Sequence, residues 1–241
     1  GMSICQDRAT AHPKLISGNH VVPGMWLLQG GTVGGGSYKW FRQELGAWEE
    51  AQEKYTGISA FKIMDSEASS INHGSDGVIF LPYMAGERSP IWDRHAKGVY
   101  YGLDYGKTRA HMIRATLEGC AYALYHNLIT ALEAGACADE LRAMGGAANS
   151  RLWTQIKADV TGKVIKVPGS DTATTLGAAI LAGVGTGQYR DFNEAVERTV
   201  SVTRVHEPDM KIHAEYQKYF AVYLKLYDQL KSIFAESGAI Q

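Results

Sequence analysis

No apolar run in this 241-residue chain approaches the roughly 20 residues that cross a bilayer, so a membrane span is not expected. Basic residues are not in excess: 24 Lys and Arg stand against 25 Asp and Glu, a formal net charge of −1, which argues against a nucleic-acid surface. The three cysteines, Cys5, Cys120 and Cys137, are odd in number and lack CxxC spacing, so neither a disulfide framework nor a zinc site is indicated and a reducing cytoplasm fits best. The eight histidines contain no HxxxH or HExxH group. Internal repeats and low-complexity segments are also missing. Gly1 before Met2 has the look of a cloning remnant, and no signal peptide follows it.

What is present is an ordinary globular composition, 45% hydrophobic and 20% charged, enough for a sizeable core. SICQ and His20–Gln29 read as two strands joined by a loop holding Pro13, Gly18 and Asn19. GGTVGGG, Gly30–Gly36, then links strand to helix, with Trp40, Phe41 and Leu45 at helical spacing. A weaker helical region covers 47–72, HGSDG makes a turn, and Val78–Tyr83 is a short buried strand, followed by the strand-like VYYGL. From Thr108 to Glu133, Ile113, Leu117, Cys120, Leu124, Leu128 and Leu132 fall three or four apart, which predicts a long core helix ending at Gly135. Strands at Leu141–Met144 and Val164–Pro168 each precede a helix, the second one N-capped by Ser170 or Asp171, and Asp191 with Glu194 forms a capping-box pattern. Tyr216, Phe220, Tyr223, Tyr227, Leu230 and Phe234 share one face of a final helix, as a packing stripe. Alternating strands and helices predict an α/β fold.

Four glycine-rich stretches compete for a phosphate. GLDYGKT, Gly102–Thr108, ends like a P-loop, but only three residues separate its glycines, and Tyr101 stands where the first glycine should be. GVGTG, Gly183–Gly187, follows a helix where a dinucleotide fingerprint should precede one, and reads as a helix end. GGAANSRLW, Gly145–Trp153, has the suitable order: a strand, two glycines without Cβ, and a helix N-terminus. Asn149 offers both a donor and an acceptor to an adenine edge, although the same residues also suit a tight turn capped by Asn149 or Ser150. GGTVGGG has the same strand-to-helix context and the same ambiguity.

Gly98, Tyr100, Gly102, Leu103, His111, Met112, Ala115, Thr116, Leu117 and Glu118 satisfy a long signature of the FGGY carbohydrate kinases. LPYMAGERSP with Asp93, MGGAANSRLW and LGAAILA match further motifs, so the chain resembles the C-terminal domain of that family over nearly its whole length, most closely its xylulokinase-like members. The resemblance implies an actin/hexokinase-like (ribonuclease H-like) ATPase domain spanning 1–241, a mixed β-sheet flanked by helices. It implies ATP, with Mg²⁺, in a cleft between two domains. Gly145, Gly146 and Asn149 would lie at the adenine and ribose, and Gly35 near the phosphates. Glu87, Arg88, Arg114 and Glu118 would form ion pairs or hold loops. The apparent P-loop becomes a strand-to-helix link inside the signature.

The same resemblance implies that the N-terminal domain, with its Asp-x-Gly-Thr loop, most of the sugar pocket and the aspartate base, lies outside this chain, so no catalytic residue is assigned within it. The expected activity is transfer of the γ-phosphoryl group of ATP to a sugar such as xylulose, with a non-catalytic nucleotide-binding module or an inactive part of a split kinase as alternatives. A strand expected beside SICQ and Leu141–Met144 is also outside the chain, which suggests self-association or pairing with an N-terminal half.

Overall fold

A computed structural model of the chain describes residues 1–169 and 172–240. The proposed cap at Ser170 or Asp171 lies outside the described residues.

The first three strands are β1 (Met2–Gln6), β2 (Ile16–Asn19) and β3 (Trp26–Gly30), antiparallel in the order β1-β3-β2. Gly18 and Asn19, expected in a loop, belong to β2, where they pair with Leu27 and Trp26; the polar, Gly-containing segment suits an exposed edge strand. Along β1, Met2 and Ile4 are buried and Ser3 and Cys5 exposed, the alternation of a strand with one face on the core.

Helix α1 (Gly34–Leu45) starts inside the glycine cluster, earlier than the spacing of its apolar residues suggests. Its buried face is Ser37, Tyr38 and Phe41, while Leu45 is exposed. The weakly helical region divides into α2 (Ala47–Thr56) and α3 (Ala60–Ser69), because Gly57 takes a left-handed φ of 72° and ends the first. Strand β4 (Ile79–Pro82) is buried throughout and pairs with β5 (Gly98–Tyr101).

Helix α4 (Arg109–Glu133) is the centre of the molecule. The apolar stripe lies within it as expected, yet Arg114, Thr116 and Glu118 are buried too, because α1, α3, β4 and α5 pack around its circumference. Strand β6 (Glu140–Arg142) runs parallel to β7 (Val164–Pro168), and α5 (Arg151–Thr161) connects them. After α6 (Ala173–Gly185) and α7 (Phe192–Thr199) comes β8 (Val202–His206), antiparallel to β7 and not anticipated from sequence. Its alternation is Val-Thr-Arg-Val-His, too polar to stand out as a strand.

Helix α8 (Met210–Gly238) buries Tyr216, Phe220, Tyr223, Tyr227 and Phe234 against α4 and β4, so the aromatic stripe is packing. Asp191 caps α7 through the Glu194 N–H, and Glu194 reaches back to the N–H of Arg190.

The described strands form three sheets, the third of them mixed. β1 ends one sheet and β6 another; each is paired on one side only. The opening expected between SICQ and the Leu141 strand is therefore present. A cavity of about 880 Å³ lies there, lined by both strands.

Candidate functional site

The Gly145–Asn149 turn stands where β6 delivers the chain to α5. Gly145 has φ 80°, a conformation that disfavours side chains, and Ala148 N–H closes the turn on its carbonyl at 2.9 Å. A Cβ built on Gly145 or Gly146 would meet no atom within 4 Å. These glycines thus border open space and are not wedged against a neighbouring backbone. Ser150, not Asn149, caps α5, accepting the Trp153 N–H at 2.9 Å. The Asn149 side chain is exposed and makes no hydrogen bond to the protein among the described residues.

Gly145 and Asn149 line a small cleft of about 140 Å³ with Met144, Pro168, Thr203 and Arg204. Arg204, on the unforeseen β8, donates from Nη2 to the Ala148 carbonyl, and its buried Nη1 has no protein partner among the described residues. A guanidinium with an unused donor beside an open glycine turn is suited to an oxygen acceptor of a ligand. No motif marks it; only the pairing of β8 with β7 brings it to the turn.

Gly35 does not share that cleft. It lies in the first turn of α1, on the adjoining 880 Å³ cavity, and the two spaces have Ala143, Met144 and Ala148 as common wall. The N-cap of α1, Val33, has no side chain that can receive an N–H, and Gly34 and Gly35 open onto the cavity. Free helix N-terminal amides favour anions. The first half of the glycine cluster has the opposite fate. Gly31 N–H donates to Ser89 Oγ, and Thr32 Oγ1 donates to Glu87 Oε2 at 3.0 Å.

Glu87 holds its loop: its other oxygen accepts the Arg88 N–H at 2.9 Å, and its backbone bridges to Asp93. Asp93 in turn accepts from the His95 and Ala96 N–H groups and from the Tyr227 hydroxyl. Arg114 Nε donates to Glu118 Oε1 at 2.8 Å in a buried ion pair, which Tyr216, Ser75 and the Gly74 N–H complete. The Arg88 side chain, expected in such a pair, is exposed.

The stretch resembling a P-loop is closed. Gly102 has φ 87° and its missing Cβ would land on the Gly77 carbonyl. Asp104 Oδ1 takes the Gly106 N–H at 2.7 Å, its Oδ2 lies 3.7 Å from Lys107 Nζ, and Thr108 is engaged with His111. The groups a phosphate would need are already used. Gly183–Gly187 is the end of α6, with Gly187 at φ 77°.

With that geometry established, comparison with known proteins assigns the family. The profile of the FGGY family of carbohydrate kinases, C-terminal domain, matches residues 8–186. The chain belongs to this family. It is 34% identical over 219 residues to a xylulose kinase of Staphylococcus epidermidis, covering 90% of this chain and 42% of that one. To a gluconokinase of Bacillus licheniformis it is 32% identical over 230 residues, covering 94% and 43%. Among solved structures, a ligand-bound xylulose kinase from Lactobacillus acidophilus superimposes with a TM-score of 0.83 at 26% identity, over 97% of this chain and 46% of that one. The chain thus spans less than half the length of these relatives, and its fold is that of the actin/hexokinase-like ATPases.

Among the described residues no helix is long and apolar enough to cross a membrane, and no group of three or more His, Cys, Asp or Glu could hold a metal ion.

Proposed function

We propose that residues 1–241 form the ATP-binding C-terminal domain of a carbohydrate kinase, which transfers the γ-phosphoryl group of ATP to a hydroxyl of a sugar such as xylulose. The observation that carries this reading is the open Gly145–Asn149 turn, with bare backbone, a free amide side chain and the spare donor of Arg204 in one cleft. Gly145 and Gly146 would let a flat adenine approach the main chain, Asn149 would read its polar edge, and Arg204 would meet a ribose or base oxygen. Gly35, at the free N-terminus of α1, would lie toward the phosphates. The relatives named xylulose kinase and gluconokinase support a polyhydroxylated acceptor.

Mg²⁺ would enter with the phosphates, where it neutralises charge. This chain's described residues offer no acidic cluster for it, so none is assigned to the metal. Phosphoryl transfer depends on positioning and charge stabilisation, and needs a base at the acceptor hydroxyl. No carboxylate here is assigned that role: Glu118 is ion-paired, and Glu87 and Asp93 are occupied with their loop. A complementary half would supply base and sugar pocket.

Calorimetry with ATP tests the site. The chain alone should bind weakly, above micromolar Kd, since one domain contacts one face of the nucleotide. Gly146→Val should abolish binding without loss of fold, because its side chain enters empty space that the ligand needs. Mixing the chain with a separately expressed N-terminal half of a xylulose kinase relative, and following ADP formation over a sugar panel, tests the reaction. Turnover by the chain alone would overturn the assignment of the base to another half.

A further inference from the structure

The Gly145–Asn149 turn has open space on its ligand side, so its shape is set from behind. Its entry residue, Gly145, at φ 80° and ψ −178°, has no Cβ to restrict it. Within the turn, the Ala148 N–H returns to the Gly145 carbonyl at 2.9 Å. From outside, the Ala148 carbonyl is taken by Nη2 of Arg204. A peptide unit is planar, so the carbonyl of Ala148 and the N–H of Asn149 move together. What fixes that carbonyl also fixes the direction in which the chain enters Asn149.

The sequence builds this contact through a proline. Pro168 has no N–H to give to β8, and the register shifts beside it: Val167 pairs with Arg204 but Pro168 with Val202, which leaves Thr203 as an extra residue. The Thr203 hydroxyl donates to the Val167 carbonyl at 3.2 Å. Such a bulge bends its strand and re-aims the side chains next to it, and Arg204 is next to it. Two positions further on β8, where side chains return to the same face, His206 Nδ1 lies 3.1 Å from Gln155 Oε1. Gln155 Nε2 donates in turn to the Glu207 carbonyl at 2.8 Å and to Asp159 Oδ1 at 2.9 Å. Gln155 belongs to α5, the helix that starts where the turn ends. The contacts thus close a ring that runs from the turn through α5 and Gln155 to β8, and back through Arg204 to Ala148.

We propose that Arg204 is a positioning residue for the nucleotide. By holding the Ala148 carbonyl it sets the Ala148–Asn149 peptide plane, and with it the Asn149 amide and the bare backbone of Gly145 and Gly146. This inference rests on the proposed nucleotide site, and adds to the ligand contact of the spare Nη1 a role that is present before any nucleotide arrives. A turn already in its bound shape spares the ligand the cost of ordering it.

NMR of the chain tests this, with Arg204→Ala compared with wild type before and during titration with ATP. Without nucleotide, the Asn149 amide signal should move in the variant, while those of Ile156 in α5 and Ile165 in β7 stay in place. The Kd for ATP should rise about tenfold, as for loss of one hydrogen bond from a charged group. Millimolar ethylguanidinium, which replaces the lost side-chain head, should return the Asn149 signal and recover most of the affinity. Should Arg204→Ala fold poorly, the same signals and the same rise in Kd are read in Arg204→Gln. An unmoved Asn149 signal or an unchanged Kd overturns the inference. Affinity that ethylguanidinium fails to recover in Arg204→Ala, or signals that move throughout α5 and β7, would reduce Arg204 to a support of the sheet and overturn it too. A wild-type chain that binds no ATP overturns the nucleotide site itself and this role with it, whereas wild-type binding with any of the preceding results overturns this role alone.

Discussion

Helix α4 meets two environments along its length, and they obey opposite rules. Toward α8 and β4 it contributes Ile113, Leu117 and Tyr122 to a packed aromatic core, and the charges buried there are answered: Glu118 accepts from Arg114, Ser75, Tyr216 and the Gly74 N–H. Toward β1 and β6 the same helix floors an open cavity, where, among the described residues, Lys157 has no ion-pair partner and β1 and β6 are each paired on one side only. In the first region the buried ion pair is fully partnered, and among the described residues the buried Tyr122 hydroxyl is left without a hydrogen bond. The second is an open space, and the candidate nucleotide cleft adjoins it through Ala143, Met144 and Ala148.

If the packed side is self-sufficient, removing one member of its ion pair should have the largest effect on stability. Glu118→Ala leaves Arg114 buried and unpaired, and should cost about 3–5 kcal/mol in urea unfolding. A loss under ~1 kcal/mol would show that the pair is dispensable and blur the contrast with the slot.

On the open side the sign reverses. Lys157→Met should stabilise the chain at pH 7 by roughly 2 kcal/mol, since it removes an unanswered charge. Because the folded lysine gives up its proton near pH 8, below its usual 10.5, the unfolded state holds more protons between those values. Wild-type stability should therefore rise over that window relative to the variant, and the difference should shrink. A destabilised Lys157→Met at pH 7 would mean that the ammonium is already satisfied.

His126 sharpens the comparison at acid pH. Burial, helped by Lys14, pushes it down to about 4 from the usual 6.5. Its contribution is intact above pH 6.5 and is lost as the pH falls toward 4, by about 1–2 kcal/mol once its partial exposure is allowed for. His126→Gln should flatten that part of the stability profile. The smallest effect is expected for Gly106→Val in the closed loop, which should leave ATP affinity within about threefold, less than ~1 kcal/mol, since the groups a phosphate would need there are taken by Asp104. A large loss would reopen the P-loop reading.

Much of this was legible in the chain because local physics dictates it. The stripe from Ile113 to Leu132 and the aromatic stripe of α8 could only be helices with a face to bury, and Gly135 ends the first in a left-handed turn of φ 85°. The spacing of Gly102–Thr108 already argued against a phosphate site, and Asp104 supplies the structural reason. Gly145, Gly146 and Asn149 were visible as a turn before a helix, but whether those glycines serve close packing or open space depends on atoms remote in sequence.

By itself, then, the sequence determined the long helices, the glycine turns between strand and helix, and the family signature, all of which rest on periodicity or on residues a few positions apart. Tertiary structure alone decided the rest. β8 is a strand only because β7 offers it an edge, and Arg204 reaches the cleft only through that pairing. Ser150, not Asn149, takes the cap, which leaves the amide free. Lys157, half-buried, is set over the Trp153 ring on the wall of the open cavity by the packing of α5 on α4, and has no ion-pair partner among the described residues. Burial and long-range pairing are properties of the whole assembled chain, and no local window of residues contains them.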